Sequence, residues 1–225
     1  MENLRDRIVL AALPHVVFDG WTLKTLREGA RDAGLDPDVV GRAFPEGVVP
    51  ALAHFFELGD RRMAMEMAGK PLEEYRQRER LALAVRCRLE PWSDSRDSLR
   101  RAMSLLSLPS HAAAAATCLY RTTDALWHAV GDTATGFDYY TKRGGLGSVY
   151  VATLLYWLND SSEGSADTWH FLERSLTEMI RLAELRGRVE RGLALLPNPL
   201  RLFRPRRRAG RTLDGVAARA PSGTP

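Results

Sequence analysis

Apolar residues in this chain recur at helical spacing over most of its length, and no stretch alternates apolar with polar. A period near 3.6 with no competing period of two is satisfied by helices packed on helices, so an all-α fold is expected. Glycine and proline punctuate it. Leu4, Ile8, Ala11 and Ala12 carry a first helix to about Phe18, with Pro14 as an internal irregularity, and Asp19-Gly20 breaks it. Thr22 is placed to N-cap a second helix, Leu23 to Ala33, which Gly34 stops. Asp36 followed by Pro37 starts a short third helix that ends near Phe44-Pro45. A fourth runs from about Val48 to Met67, and Gly69-Lys70-Pro71 closes it and opens a fifth, to about Leu89. Pro91, Pro109 and Gly131 mark the later boundaries, giving helices of roughly 95–107, 111–130, 141–158 and 166–191. Ser110 stands as a cap before the five alanines Ala112 to Ala116, whose small side chains admit a close neighbour.

Helix, Gly-Trp-Thr, helix, the Gly34-Leu35 turn and a short third helix form a helix-turn-helix layout, and the first fifty residues resemble the N-terminal domain of a TetR-type repressor. A recognition helix supplies phosphate and base-edge contacts, for which Arg, Lys, Asn, Gln, Ser and Thr are suited. This one offers Asp36, Asp38 and Glu46 against a single Arg42. Those carboxylates repel the phosphate backbone that dominates affinity, so a retained three-helix support is expected, with no nucleic-acid partner.

The 225 residues suffice for a substantial core, and 45% hydrophobic with 27% charged content is that of a soluble globular chain. Charge is divided unevenly. Residues 1–180 hold 21 Lys and Arg against 25 Asp and Glu, a net −4, while residues 181–225 hold 11 against 3, a net +8. A basic end on a mildly acidic body points to an anionic partner for that end. Cys87 and Cys118 lie outside any Cys-x-x-Cys pattern and are expected to be buried, reduced thiols. The start, Met-Glu-Asn-Leu-Arg-Asp-Arg, reads as helix without a signal-peptide apolar region. The most apolar run, Val149–Leu158, is about half the length of a spanning helix, so no membrane crossing is expected.

Val149–Leu158, with Tyr156 and Trp157, is apolar around its whole circumference and is expected to be walled by neighbours. Gly144, Gly145 and Gly147 precede it in a helical pattern, where they serve either close helix packing or room for a ligand chain. They do not form a phosphate loop, because the Gly-x-x-x-x-Gly-Lys-Ser/Thr frame is absent. Histidines 15, 54, 111, 128 and 170 are scattered. Asp124/His128 and Asp167/His170 have helical spacing, which suits paired surface or core roles better than metal ligation. The Glu-x-x-His repeat of carboxylate-bridged di-iron bundles is missing, and no Ser/His/Asp or Cys/His arrangement has a recognisable context. No catalytic residue, metal or cofactor is expected, and the chain is not expected to be an enzyme.

Between Leu126 and Glu173 the order Trp-His-x-x-Gly-Asp, then Phe-x-x-Tyr-Thr-Lys-Arg, Tyr, Asp-Ser-Ser and Asp-Thr-Trp-x-Phe-Leu-Glu carries three of the five tryptophans. Read together, these motifs resemble the ubiquinone-biosynthesis accessory family that is ninth of the COQ series, lipid-binding helical proteins built like TetR repressors. The resemblance is loose over the helix-turn-helix portion and dense from 126 to 173. It implies an N-terminal helix-turn-helix module and a C-terminal helical ligand domain enclosing an apolar cavity for isoprenoid lipid. It also implies a surface patch that docks the demethoxyubiquinone hydroxylase, and a homodimer through the last two long helices. Carried to this chain, the lipid-binding and partner positions are Leu126, Trp127, Tyr139, Tyr140, Lys142, Arg143, Gly144, Gly145, Tyr156 and Trp157. The family often has Trp where this chain has Tyr139. Aromatics beside a basic pair suit an interface on physical grounds as well.

From Leu193 the sequence sets apolar anchors beside clustered arginine: Leu196, Leu200, Leu202 and Phe203 with Arg201, Arg204, Arg206, Arg207 and Arg208. That composition matches a membrane-surface segment, apolar groups entering the headgroup boundary and cations meeting anionic lipid. Pro197, Pro199 and Pro205 prevent one continuous helix, a departure from the family's C-terminal amphipathic helix.

The organisation expected is a degenerate helix-turn-helix module over 1–47, a lipid-binding and dimerisation domain over 48–191, a membrane-contacting segment over 192–211 and a disordered end over 212–225. The functional expectation is a cytoplasmic protein, peripheral on the inner membrane, that binds isoprenoid quinone intermediates and presents them to the hydroxylase. A TetR-type ligand-responsive repressor is the alternative. A pure assembly scaffold with a solid core beside Gly144–Gly147 is a third.

Overall fold

The computed structural model describes residues 4–132 and 137–194, with side chains described over 4–132, over 143–183 and at 185. Among the described residues every regular element is helical. The order is α1 (Leu4–Asp19), α2 (Leu23–Asp32), α3 (Val39–Ala43), α4 (Val48–Ala68), α5 (Gln77–Leu89), α6 (Arg96–Leu106), α7 (Ala112–Ala129), α8 (Phe137–Asn159) and α9 (Ala166–Ala194). Short 3-10 turns occupy Leu72–Glu74, Glu90–Ser95, Pro109–His111 and Glu163–Ser165. Met1–Ala183 form one compact unit and Glu184–Pro225 a second. No single described helix is long and apolar enough to cross a membrane.

Local chemistry sets the helix ends. Thr22 is extended and its hydroxyl accepts the Thr25 amide at 3.1 Å, satisfying one of the orphan donors of α2. At the other end Gly34 takes φ +70°, the Gly34 amide bonds Arg31 O and the Leu35 amide reaches back to Ala30 O. Those two bonds form a Schellman stop, which a residue with a Cβ adopts only under strain. Gly29 in α2 has a separate role. A Cβ there would lie 2.6 Å from the Ala12 backbone nitrogen, so α1 and α2 cross where one has no side chain.

The third and fifth helices start later than the sequence suggests. Asp36 does not begin α3, because its Oδ1 accepts the Asp38 amide at 2.9 Å in a local turn and the helix is delayed to Val39. Past Pro71 the chain makes the Leu72–Glu74 turn and an extended Tyr75, and α5 begins at Gln77, with the Glu79 carboxylate accepting the Arg76 amide at 2.8 Å. Ser110 makes no cap. It lies inside the Pro109–His111 turn, and His111 is the residue before α7. Ala112, Ala113 and Ala116 are exposed, and only Ala114 and Ala115 pack against the core.

Buried polar contacts fasten the N-terminal helices to the rest on two sides. The Trp21 indole donates to Ser98 O at 3.0 Å, and Ser98 Oγ donates to Leu13 O at 2.7 Å, joining α1 and the α2 approach to α6. On the other side, buried Asp6 of α1 meets His54 Nε2 and the Arg61 guanidinium of α4, each at 2.6 Å. Burial pushes the Asp6 carboxyl up, but the hydrogen bonds from His54 and Arg61 outweigh it and hold the group below its ordinary value.

Apolar composition misleads over Val149–Leu158. Leu154, Trp157 and Leu158 are buried, but Leu155 is 48% and Tyr156 42% exposed, so α8 is not walled on every side within the first compact unit. With Leu182 on α9, also exposed, they give that unit an outward apolar component.

Candidate functional site

Helices α7, α8 and α9 bring together the described positions of the aromatic and charged motifs. Leu126 and Trp127 on α7 are buried, as is Trp157 on α8, whose ring lies 4.4 Å from the Arg96 guanidinium of α6. Arg143 turns inward too. It is 4% exposed, and its Nε and Nη2 both lie 2.7 Å from Asp124 Oδ1 on α7. Asp124 Oδ2 lies 3.5 Å from His128 Nε2 one turn further on.

The glycines divide by role. A Cβ at Gly145 would lie 3.3 Å from Met179 of α9, and one at Gly147 would lie 3.4 Å from Thr123 and 3.8 Å from Leu119 of α7. Gly145 and Gly147 therefore serve close packing, whereas Gly144 is exposed with open space where its Cβ would be. Tyr156 is half-buried, its ring stacked on Phe171 of α9 at 5.0 Å and 9°. An open groove of about 560 Å³ runs beside it, with a charged lining that includes Arg78, His170, Glu173, Arg174 and Arg181. The side chains of Tyr139, Tyr140 and Lys142 lie outside the described residues. So do Leu196, Leu200, Arg201, Leu202, Phe203, Arg204, Arg206, Arg207 and Arg208.

Two constellations have a structural role that the sequence does not announce. Arg88 of α5 is 2% exposed. It donates from Nε to Asp60 Oδ1 at 2.7 Å and from Nη2 to Phe56 O at 3.0 Å, both on α4. Thr122 of α7 donates to both Asp60 oxygens, at 3.0 and 3.1 Å, and Tyr150 of α8 is buried close enough to feel both charges. Gly59 makes the room, since a Cβ there would fall 2.4 Å from the guanidinium carbon. Burial pushes the Asp60 carboxyl above its ordinary value against the opposing pull of Arg88. The signal was present in the spacing: Leu81, Ala84, Val85 and Arg88 fall on one helical stripe, which puts the arginine on the apolar face.

The second is the corner between α8 and α9. Asp160 Oδ1 accepts the Ser162 amide at 2.8 Å and its hydroxyl at 2.6 Å, and Oδ2 accepts the Thr168 amide at 2.9 Å and the Thr168 hydroxyl. Gly164 has φ +61°, and the Trp169 indole donates to its carbonyl at 2.8 Å. Arg96 donates to Asp160 O at 2.7 Å and to Ser165 Oγ at 2.6 Å. Burial alone would raise the Asp160 carboxyl, but the bonds from Ser162 and Thr168 prevail and hold it far below the usual carboxylate range. The Asp-Ser-Ser and Asp-Thr-Trp motifs thus build a turn.

The surface around α3 exposes Asp36, Asp38 and Glu46 beside Arg42. Among the described residues no three His, Cys, Asp or Glu side chains converge as a metal site.

Residues 112–183, which cover α7, α8 and most of α9, match the COQ9 family model. Among the proteins to which the chain is similar are COQ9 proteins. The chain is 32% identical over 194 residues to the mitochondrial ubiquinone biosynthesis protein COQ9 of Drosophila melanogaster, covering 84% of this chain and 59% of that protein. It is 30% identical over 196 residues to the COQ9 of Homo sapiens, covering 84% and 61%. The chain therefore spans about three fifths of the length of these COQ9 relatives. In fold it is similar to the TetR transcriptional regulator from Nitrosomonas europaea ATCC 19718, with a TM-score of 0.63 and 22% identity over 80% of this chain and 99% of that one. The architecture is all-α and TetR-like.

Proposed function

We propose that the chain is a non-catalytic accessory protein of ubiquinone biosynthesis. It binds isoprenoid quinone intermediates and presents them to the demethoxyubiquinone hydroxylase. The observation that carries this is where the likeness to COQ9 proteins falls: similarity at 32% identity extends over 84% of the chain, and the family match lies on α7, α8 and most of α9. The acidic surface around α3 supports the same choice over a DNA-binding repressor, since it would repel phosphate.

The physical need for such a helper is plain. A polyprenyl tail is nearly insoluble, and lifting its head group to a soluble active site requires apolar walls in place of the bilayer. In this reading Trp127, Tyr156 and Trp157 belong to those walls, Tyr139 and Tyr140 meet the hydroxylase, and exposed Leu155 and Leu182 meet a second copy of the chain. The arginine-rich segment near the end holds the protein on an anionic membrane, each basic residue contributing on the order of 1 kcal/mol. The named relatives are mitochondrial proteins, and the face of the inner membrane that carries this machinery is the proposed location.

Purification from the native host under mild conditions, solvent extraction and lipid mass spectrometry test the proposal. A near-stoichiometric polyprenyl quinone or phenol is expected. An extract no richer than that of a same-fold control protein defeats lipid carriage.

A further inference from the structure

Resemblance alone places Arg143 with Lys142 at a basic surface that meets the partner. The geometry is otherwise. Arg143 is 4% exposed, and two of its nitrogens converge at 2.7 Å on one oxygen of Asp124. A guanidinium held that way has two of its donors directed into the protein.

What surrounds the pair says what it does. One turn along α8, Gly147 faces Thr123 and Leu119 of α7 with no side chain of its own. Close approach brings the backbones together there but supplies no directional bond. Asp124 and Thr123 are neighbours on α7, and Arg143 and Gly147 are one turn apart on α8, so the ion pair and the glycine contact share a seam. The pair supplies a directional contact at the end of that seam nearer the start of α8. Asp124 keeps 28% of its side-chain surface exposed, so the pair sits at the rim of the helix hairpin, where it fixes an edge.

We infer that Arg143 is a positioning residue that pins the first turns of α8 onto α7 through Asp124, and that it acts on the partner only by setting the stance of the segment bearing Tyr139 and Tyr140. The inference rests on the docking function proposed above. Lysine cannot replace the arginine here, because an ammonium offers no rigid fork.

The experiment uses the full chain and two readouts: amide hydrogen exchange of peptides covering 137–147, and affinity for the demethoxyubiquinone hydroxylase. Arg143→Lys and Asp124→Asn are each expected to speed exchange in those peptides by about tenfold or more and to weaken docking by a comparable factor. The exchanged pair Asp124→Arg with Arg143→Asp is expected to recover part of both. Weakened docking with unchanged exchange makes Arg143 a direct contact and overturns the inference, as does unchanged exchange with unchanged docking. Failure of the docking function is separately visible: the wild-type chain then does not bind the hydroxylase, and Tyr140→Asp changes nothing. The exchange data still decide the pin in that case.

Discussion

Replacing Arg88 by methionine keeps most of its aliphatic volume and removes the guanidinium. Asp60 is then left in the interior with only the Thr122 hydroxyl, after losing a 2.7 Å ion pair, and Phe56 O loses a donor at 3.0 Å. Breaking a buried pair by removing one partner costs about 3–5 kcal/mol, because a charge stays buried without compensation. For a chain of this length each kcal/mol lowers the melting temperature by about 2–4 °C, so a loss of about 8–16 °C is expected for a cost near 4 kcal/mol, followed by circular dichroism at pH 7. Asp60→Leu combined with Arg88→Met removes both charges and is expected to recover at least half of that loss. The pH dependence has a definite sign. A carboxyl whose folded pKa is raised favours folding most fully below its unfolded value, and that contribution is lost as pH rises through the folded value. Asp60 is already raised, and without Arg88 it rises further, so the deficit of Arg88→Met shrinks as pH falls from 7 toward 4. A melting point within about 3 °C of wild type, or strict additivity in the double variant, refutes the view of Arg88 as a compensated buried charge.

Gly29→Ala would drive a methyl group into the Ala12 backbone, and overpacking there is expected to cost about 3 kcal/mol, whereas exposed Gly41→Ala, open beyond its Cβ, changes the melting point little. Asp160→Asn removes a carboxylate held low by four hydrogen bonds. Such a group contributes above its unfolded value, about 3.9, and the contribution is lost as pH falls through the folded value. The variant should therefore melt well below wild type at pH 7, with the gap closing in acid. Leu155→Glu with Leu182→Glu places charge on the outward faces of α8 and α9, and sedimentation is expected to show self-association weakened by about tenfold or more if those faces meet a second copy.

Much of the fold was legible because its punctuation is local. Thr22 and Gly34 act through bonds to residues three to five positions away, so their types alone announce the ends of α2. Where a turn has two local solutions the sequence is less decisive. Asp36 was suited to start a helix but bonds the Asp38 amide two residues on. Composition also could not say which side of α8 finds neighbours, since Leu154 and Leu155 are adjacent and chemically the same, yet one is buried and the other half exposed. In the site, the apolar run around Trp157 announced its burial, but motif spacing located Arg143 without any sign that it turns inward. Asp60 and Arg88 give little sign of their pairing, because charged residues mostly face solvent. Their partners lie on α4, α5 and α7, tens of residues apart, and only the stripe they share with apolar neighbours betrays them.

The corner at Asp160 bears on how such chains diverge. Asp160, Ser162, Thr168 and Trp169 hold a bend between two helices by bonds made within the corner itself. Side chains along the other helices can then change while the same bend is kept. Asp160 and Thr168 thus mark the architecture of the corner, and whatever the chain binds has to be sought at other positions.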